Sequence, residues 1–507
     1  MSNQHAVLSP AADRSLKVRR ALAVGAAAAV AVGSGTALAA TPHHPAIKFA
    51  KAVKLAGNCG GEPSIDIDGR YVYVSAPKGI LAGLASCDGE ASDTRGVASW
   101  VSTDGGRTFS KKISVGSTDA GGDSDTTVGG HDVYVADLAG SSSVVCVSHD
   151  HGRSYVSAQA NEQCSSDSGE TVTGHTGWDA DREWLNVYGP TQSYPHRDVF
   201  LSYHDLTLGV PVVYRSQDGG PFEPLSVPGS SNPTFMSQVA NGTIISKPVV
   251  DRAGHMYSLV TTESAGQGPL TQLWLIKTVD HGATWSATPI FQGPNNANMG
   301  LVFNDLAMDG AGNLYALSLG NTGGSVPPVH AYLWRSTNGG ASWRGPVDIN
   351  AGGKAVALAA MHGGPRAGQL VIGWYHSTNT KDPNDTRGQW VYDALESSNA
   401  TSAHPRFATT VLGATEQAHG IVHQGQICTQ GILCTTGQVT GILPGGDAGQ
   451  GNRNLADFSS VTVDSHGCAI FTYADDGAIK PDQSNFDYPL VNNDVTRQTA
   501  GCFSTRR

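Results

Sequence analysis

Ser102-Thr103-Asp104-Gly105-Gly106-Arg107-Thr108-Phe109 has the form Ser/Thr-x-Asp-x-Gly-x-Ser/Thr-aromatic, and the chain returns to that form repeatedly. Ser148-His149-Asp150-His151-Gly152-Arg153-Ser154-Tyr155 and Thr278-Val279-Asp280-His281-Gly282-Ala283-Thr284-Trp285 are complete copies. Ser336-Thr337-Asn338-Gly339-Gly340-Ala341-Ser342-Trp343 carries Asn for Asp, and Ser216-Gln217-Asp218-Gly219-Gly220-Pro221-Phe222 is one residue short and lacks the second hydroxyl. Each residue type suits a tight reversal. A short carboxylate or amide accepts hydrogen bonds from nearby backbone N–H groups. The following Gly supplies a positive φ without steric cost, and the terminal aromatic has area to bury. The copies follow apolar runs such as Val97-Ala98-Ser99-Trp100-Val101, Leu273-Trp274-Leu275-Ile276 and Tyr332-Leu333-Trp334. Each copy therefore reads as a hairpin between two strands.

The motif resembles the Asp-box (BNR) repeat of the sialidase-like β-propellers, directly over residues from about 60 to 345 and by blade rhythm beyond them. In that family the Asp box is a structural hairpin on the outer part of a blade, away from the catalytic pocket. The resemblance therefore implies a fold and does not make these aspartates catalytic.

A second unit precedes each turn: an apolar strand, a reversal with Asp or Gly, and a strand of alternating apolar residues. Ser64–Val74, Thr126–Val135, Glu183–Leu201, Pro248–Tyr257 and Leu306–Tyr315 open five such units. Ala355–Trp374 opens a sixth that has lost its Asp box, and Phe458–Tyr473 opens a seventh. The expected fold is all-β: a β-propeller of four-stranded antiparallel blades, seven by this count, against the six that the sialidase resemblance suggests. The seventh unit lacks a clear outer strand. Ala46–Val53 can supply it, joining the two chain ends and removing an open edge. Sixty-three glycines and 15% charged residues fit many short strands joined by turns.

Residues 1–40 read as a secretion signal: Arg14, Lys17, Arg19 and Arg20 form a positive region, Ala21–Val32 is a short apolar run, and Ala37-Leu38-Ala39 suits cleavage. Residues 41–507 read as one propeller domain, a secreted and extracellular monomer. The formal charge of the whole chain is −11. The leader's four basic residues and Asp13 sum to +3, which leaves −14 for the rest. An acidic chain with dispersed Lys and Arg argues against nucleic-acid and anionic-membrane partners. The eight cysteines all follow the leader, and their sequence-neighbour pairing predicts disulfides Cys59–Cys87, Cys146–Cys164, Cys428–Cys434 and Cys468–Cys502. Residues 413–456, rich in Gly, Gln and Thr, read as a long loop clipped by Cys428 and Cys434.

Polar residues gather before the innermost strands, where a propeller opens on its axis. Glu62 precedes the first, Asp123 and Asp125 the second, and Asp181, Arg182 and Glu183 the third. Lys247 precedes the fourth, Asn304 and Asp305 the fifth, and Arg453 and Asp457 the seventh. Converging carboxylates suit glycoside cleavage, which makes Glu62, Asp181, Asp305 and Asp457 the candidate catalytic groups. Arg182, Lys247 and Arg453 suit the binding of an anionic substrate group. The resemblance implies an extracellular glycan or polysaccharide as substrate. The Arg-Ile-Pro motif of true sialidases is missing: Gly61-Glu62-Pro63-Ser64-Ile65 stands in its place, with Glu where the first arginine belongs. A propeller that binds glycan or protein without turnover is the alternative reading. Eighteen histidines, including His149, His151, His419 and His423, read as dispersed exposed residues. No metal site or cofactor is expected, beyond a structural calcium held by loop oxygens.

Overall fold

Alternating apolar residues flanked by Asp-Gly reversals commit this chain to short antiparallel strands, and the computed structural model shows how they are arranged. It describes residues 46–55, 61–78, 95–111, 113–139, 142–157, 164, 180–205, 207–239, 243–263, 270–300, 304–324, 328–351, 353–412, 420–427, 454–477 and 491–505. The fold is a seven-blade β-propeller of antiparallel, essentially four-stranded sheets. Pro233–Val239, started by Pro233 and capped by Asn232, is the one α-helix among the described residues.

The innermost strands follow the order of the predicted openings. They are Ser64–Asp68, the second half of Ile113–Gly129, Ala180–Tyr188, Thr243–Ile245 with Val249–Val250, Asp305–Met308, Val356–Gly363 and Ser460–Val463. Ile113–Gly129 serves two blades. Its first half pairs with Arg95–Ser102 as the outer strand of blade one, and its second half pairs with Asp132–Ala139 as the inner strand of blade two. Closure is made by the chain ends: Lys48–Phe49 and Val53–Lys54 both pair with Asn492–Ala500 in blade seven, as the Ala46–Val53 reading expected. Neighbouring blades bury their faces on one another. Tyr375, Tyr392 and Phe471 join blades six and seven, and Trp184, Val260 and Trp274 join blades three and four.

The turn of 102–109 is closed by its own side chains. Ser102 Oγ donates to Asp104 Oδ1 (2.8 Å) and accepts from the Gly106 N–H (2.9 Å). Asp104 Oδ1 also accepts from the N–H groups of Arg107 and Thr108, both at 3.0 Å, and Oδ2 accepts the Thr108 hydroxyl at 2.7 Å. The turns at Asp150 and Asp280 repeat this network. At Asn338 the final bond reverses, because the amide donates to Ser342 Oγ (2.9 Å) where a carboxylate would accept. The shortened copy differs: Asp218 accepts instead from Arg197 N–H (2.9 Å), on the neighbouring hairpin of its own blade. Blade six, expected to lack the turn, keeps a remnant: Ser397 Oγ donates to Asn399 Oδ1 at 3.1 Å, at the same place between third and fourth strands.

Burial works against ionisation of Asp104, but the bonds from Thr108 and Ser102 outweigh it and hold the carboxyl at about 2. The folded value lies below the ordinary one of 3.8. This stabilisation is therefore present above pH ~4 and lost as pH falls toward ~2. Asp104→Ala is expected to cost about 1–2 kcal/mol, read as a lower urea midpoint at unchanged slope.

A second set of turns, the Asp or Gly reversals expected between the first and second strands, is closed in a related way. Asp251, Asp309 and Asp464 each accept two N–H groups, from the residues two and four positions on. Gly254, Gly312 and Gly467 then take φ of 85°, 83° and 82°, which favours glycine.

Two predicted disulfides are present, Cys146–Cys164 and Cys468–Cys502. Cys59, Cys87, Cys428 and Cys434 lie outside the described residues, as do residues 1–40 and most of 413–456. No described helix is long and apolar enough to cross a membrane.

Candidate functional site

The inner strands of neighbouring blades do not pair with each other, so their backbone N–H groups need other acceptors around the axis. Aspartates provide several of them. Asp66 of blade one accepts from Ile67 N–H (2.8 Å) and from Val128 N–H of blade two (2.8 Å). Asp125 of blade two accepts from Ser64 Oγ (2.6 Å) on one side and Leu185 N–H (2.8 Å) on the other. Asp305 of blade five accepts from Leu306 N–H (2.8 Å) and from Met361 N–H of blade six (2.5 Å). Each carboxylate thus clasps a seam between blades.

These strands surround an axial chamber of about 760 Å³. Lys247 reaches into it from blade four and donates to Asp125 Oδ1 (2.8 Å) and the Thr126 carbonyl (3.2 Å). Asp66, Asp305 and His362 share the wall. Burial pushes the Asp305 carboxyl up to about 7, against the two N–H bonds and the Lys247 charge. Burial also raises Asp66, with Lys247 opposing it. The His362 ring donates from Nδ1 to the Gly363 carbonyl (2.7 Å), and burial holds its pKa below the usual imidazole value. The ring is therefore neutral near pH 7, with Nε2 as its acceptor. A carboxyl that exchanges a proton near neutrality, beside an ammonium and a neutral imidazole, is a set of groups able to move a proton.

One end of the chamber is stoppered. The Trp184 ring of blade three meets Phe458, in the lead-in to blade seven, at 5.3 Å between centroids. The Arg182 guanidinium lies over both rings, at 3.9 and 3.7 Å, and donates to the Ser124 carbonyl (2.9 Å). Arg182, Trp184 and Phe458 are 1%, 7% and 5% exposed. Blades three and seven lie across the axis from each other, so the stack closes the strand-entry end. At the other end, the chamber is lined by the turns of Asp251, Asp309 and Asp464.

Of the residues expected from sequence, Asp125, Lys247, Asn304 and Asp305 come together in the chamber. Arg182 lies in the stopper rather than in the chamber wall. Glu62 is buried beside the entry to blade one with φ 56°, Asp181 is exposed at the edge of blade three, and Asp457 is partly buried next to Phe458. None of these three lines the chamber. Arg453 lies outside the described residues. Asp66 and His362 were missed. The strand pattern Ser64-Ile65-Asp66-Ile67-Asp68 held the signal for Asp66, since alternation places it on the face opposite Ile65 and Ile67.

Glu183, noted at the entrance to blade three, is buried and accepts Ser143 Oγ at 2.9 Å. Burial and then the Asp123 charge raise its pKa, with Arg182 opposing. His423, expected to be exposed, is fully buried against Asp476, whereas His149 is exposed as expected and pairs with Asp132, as exposed His131 does with Asp68. Among the described residues, no group of three or more His, Cys, Asp or Glu is placed to hold a metal ion.

No protein-family model and no curated relative matches the sequence. Solved structures do resemble it. A protein of unknown function from Dyadobacter fermentans shares 11% identity at a TM-score of 0.44, over 90% of this chain and 99% of that one. An α-L-arabinofuranosidase from Fusarium graminearum shares 11% at 0.43, over 88% and 98%. An intramolecular trans-sialidase from Ruminococcus gnavus shares 12% at 0.38, over 88% and 94%. At these values the likeness carries no argument about this chain.

Proposed function

We propose that this chain is a secreted, monomeric Asp-box propeller of the sialidase-like kind that cleaves glycosidic bonds of extracellular glycans in its axial chamber. The observation that carries the reading is Asp305: a carboxyl in the chamber wall, pushed to about 7 by burial, next to Lys247. In this role Asp305 gives its proton to the leaving glycosidic oxygen as that oxygen's bond to the anomeric carbon breaks. Water adds to the carbon and its released proton restores the acid, and the carboxylate formed in between is steadied by the Leu306 and Met361 N–H groups and the Lys247 charge. The leader-like residues 1–40 and the two disulfides support export. Glu62, Asp181 and Asp457 have no part in this proposal, because they stand away from the chamber.

Sugar release from a broad polysaccharide panel by the mature chain, compared with Asp305→Asn, tests the reading. Release that disappears in the variant supports it, and equal release by both overturns the assignment of Asp305.

Binding without turnover is favoured by a different observation. Asp66, Asp125 and Asp305 all hold backbone N–H groups across or along blade seams, so structural need alone accounts for their presence. That reading expects glycan binding by both proteins and product from neither.

A further inference from the structure

The chamber's charges and its closed end define what it can admit. Two cations, Lys247 and Arg252, stand among its lining residues against six aspartates, and Asp125, fully buried, already holds the Lys247 ammonium at 2.8 Å. An incoming anion would have to share Lys247 with Asp125 and lie near Asp66 and Asp305 as well. Of the two arginines near the chamber, Arg182 is committed to the Trp184–Phe458 stack, and Arg252 stands exposed at the mouth, in the turn after Asp251. What remains for a ligand inside the chamber is a set of hydrogen-bonding groups without an uncommitted cation: neutral His362, the Asn186 side chain and the seam-clasping carboxyls. Asn186 Oδ1 is buried, and no described group donates to it.

The route in is equally constrained. The strand-entry end is closed by three buried side chains, whereas Arg252, Ala253 and Ala311, in the turns between first and second strands, line the chamber and are exposed. From these features we infer that the chamber binds an uncharged polyhydroxylated ligand, the terminal sugars of a neutral glycan, and admits it from the face formed by the Asp251, Asp309 and Asp464 turns. This rests on the glycan reading above and adds to it the substrate class and the face of entry. A volume of about 760 Å³ falls within the usual range of small-ligand sites.

The test is calorimetric titration of the mature chain with neutral tri- to hexasaccharides, and with sialylated and uronate-containing oligosaccharides of the same length. Three variants accompany it: Ala311→Trp and Ala253→Trp on the proposed entry face, and Leu208→Trp on the opposite face as a control. The expected result is binding of a neutral oligosaccharide that changes less than about twofold between low and high salt, since no ion pair forms. Ala311→Trp and Ala253→Trp each weaken it at least about tenfold by filling the mouth, and Leu208→Trp leaves it unchanged.

Preference for an acidic oligosaccharide, or affinity that falls steeply with salt, overturns the inference. So does neutral binding that neither tryptophan at the mouth affects. The outcomes separate this inference from hydrolysis. Neutral binding blocked at the mouth without product overturns hydrolysis and leaves the inference standing. Product that depends on Asp305 but not on the mouth does the reverse, and failure of every oligosaccharide to bind overturns both.

Discussion

Replacing His423 by alanine is expected to destabilise the folded chain by about 3–5 kcal/mol, the cost of stranding one member of a buried ion pair. His423 Nδ1 lies 2.7 Å from Asp476 Oδ1, and Nε2 lies 2.9 Å from the Gln426 carbonyl. Both neighbours are acceptors, so both ring nitrogens must donate and the ring is an imidazolium. Burial opposes this charge, but Asp476 and the Gln426 carbonyl outweigh it and raise the pKa. The pair fastens residues 420–427 between two blades: Val422 N–H donates to the Trp390 carbonyl of blade six (2.9 Å), and Asp476 N–H, after a strand of blade seven, donates to the Val422 carbonyl (2.9 Å). Asn454 adds a bond to Asp476 Oδ2 (3.0 Å). Because the folded pKa is raised, the stabilisation is complete below the unfolded imidazole value of about 6.5 and is lost as pH rises through the folded value. Urea melts of wild type and His423→Ala should therefore converge with rising pH. Adding Asp476→Asn to His423→Ala should recover part of the loss, because no unpaired charge is left buried. Full wild-type stability in the single variant would refute the imidazolium assignment.

The ring of blades was legible because its signals are local. A Ser/Thr-x-Asp-x-Gly turn closes on itself within eight residues, and each copy marks the same turn of a blade. The Ala46–Val53 strand was legible by a different argument, the need to cover an open edge. The chamber was legible only in part. Asp305 and Lys247 stand where the chain enters an inner strand, and a position in the chain is something sequence reports. Whether such a residue faces the axis depends on local bulges that sequence does not reveal. The pairing of Ala180–Tyr188 with its neighbour shifts between Asp181 and Trp184, and Arg182 there takes φ 58°. That shift helps turn Arg182 into the stopper and leaves Asp181 outside. His423 was read as exposed for a related reason: its partner Asp476 is 53 residues away, in a different blade.

Asp305→Asn is expected to lower kcat/KM for glycan cleavage by about 10²- to 10⁴-fold, the usual contribution of a positioned acid or base. Its thermal midpoint should move far less, because the amide oxygen can still accept one of the two clasping N–H groups. The pH profile distinguishes a proton carrier from a seam clasp. With the carboxyl at about 7, an acid must be protonated to act, so wild-type turnover should fall as pH rises through that value. The limb should vanish in Asp305→Asn. Burial is the largest cause of the upward shift, and the Lys247 charge counteracts it. Lys247→Met should therefore move the limb to higher pH. A merely structural lysine would leave the limb in place while lowering the melting temperature. If Asp305→Asn retains the wild-type limb and rate but melts earlier, the carboxyl serves only to bind blade five to blade six, and the chamber is a binding site rather than a catalytic one.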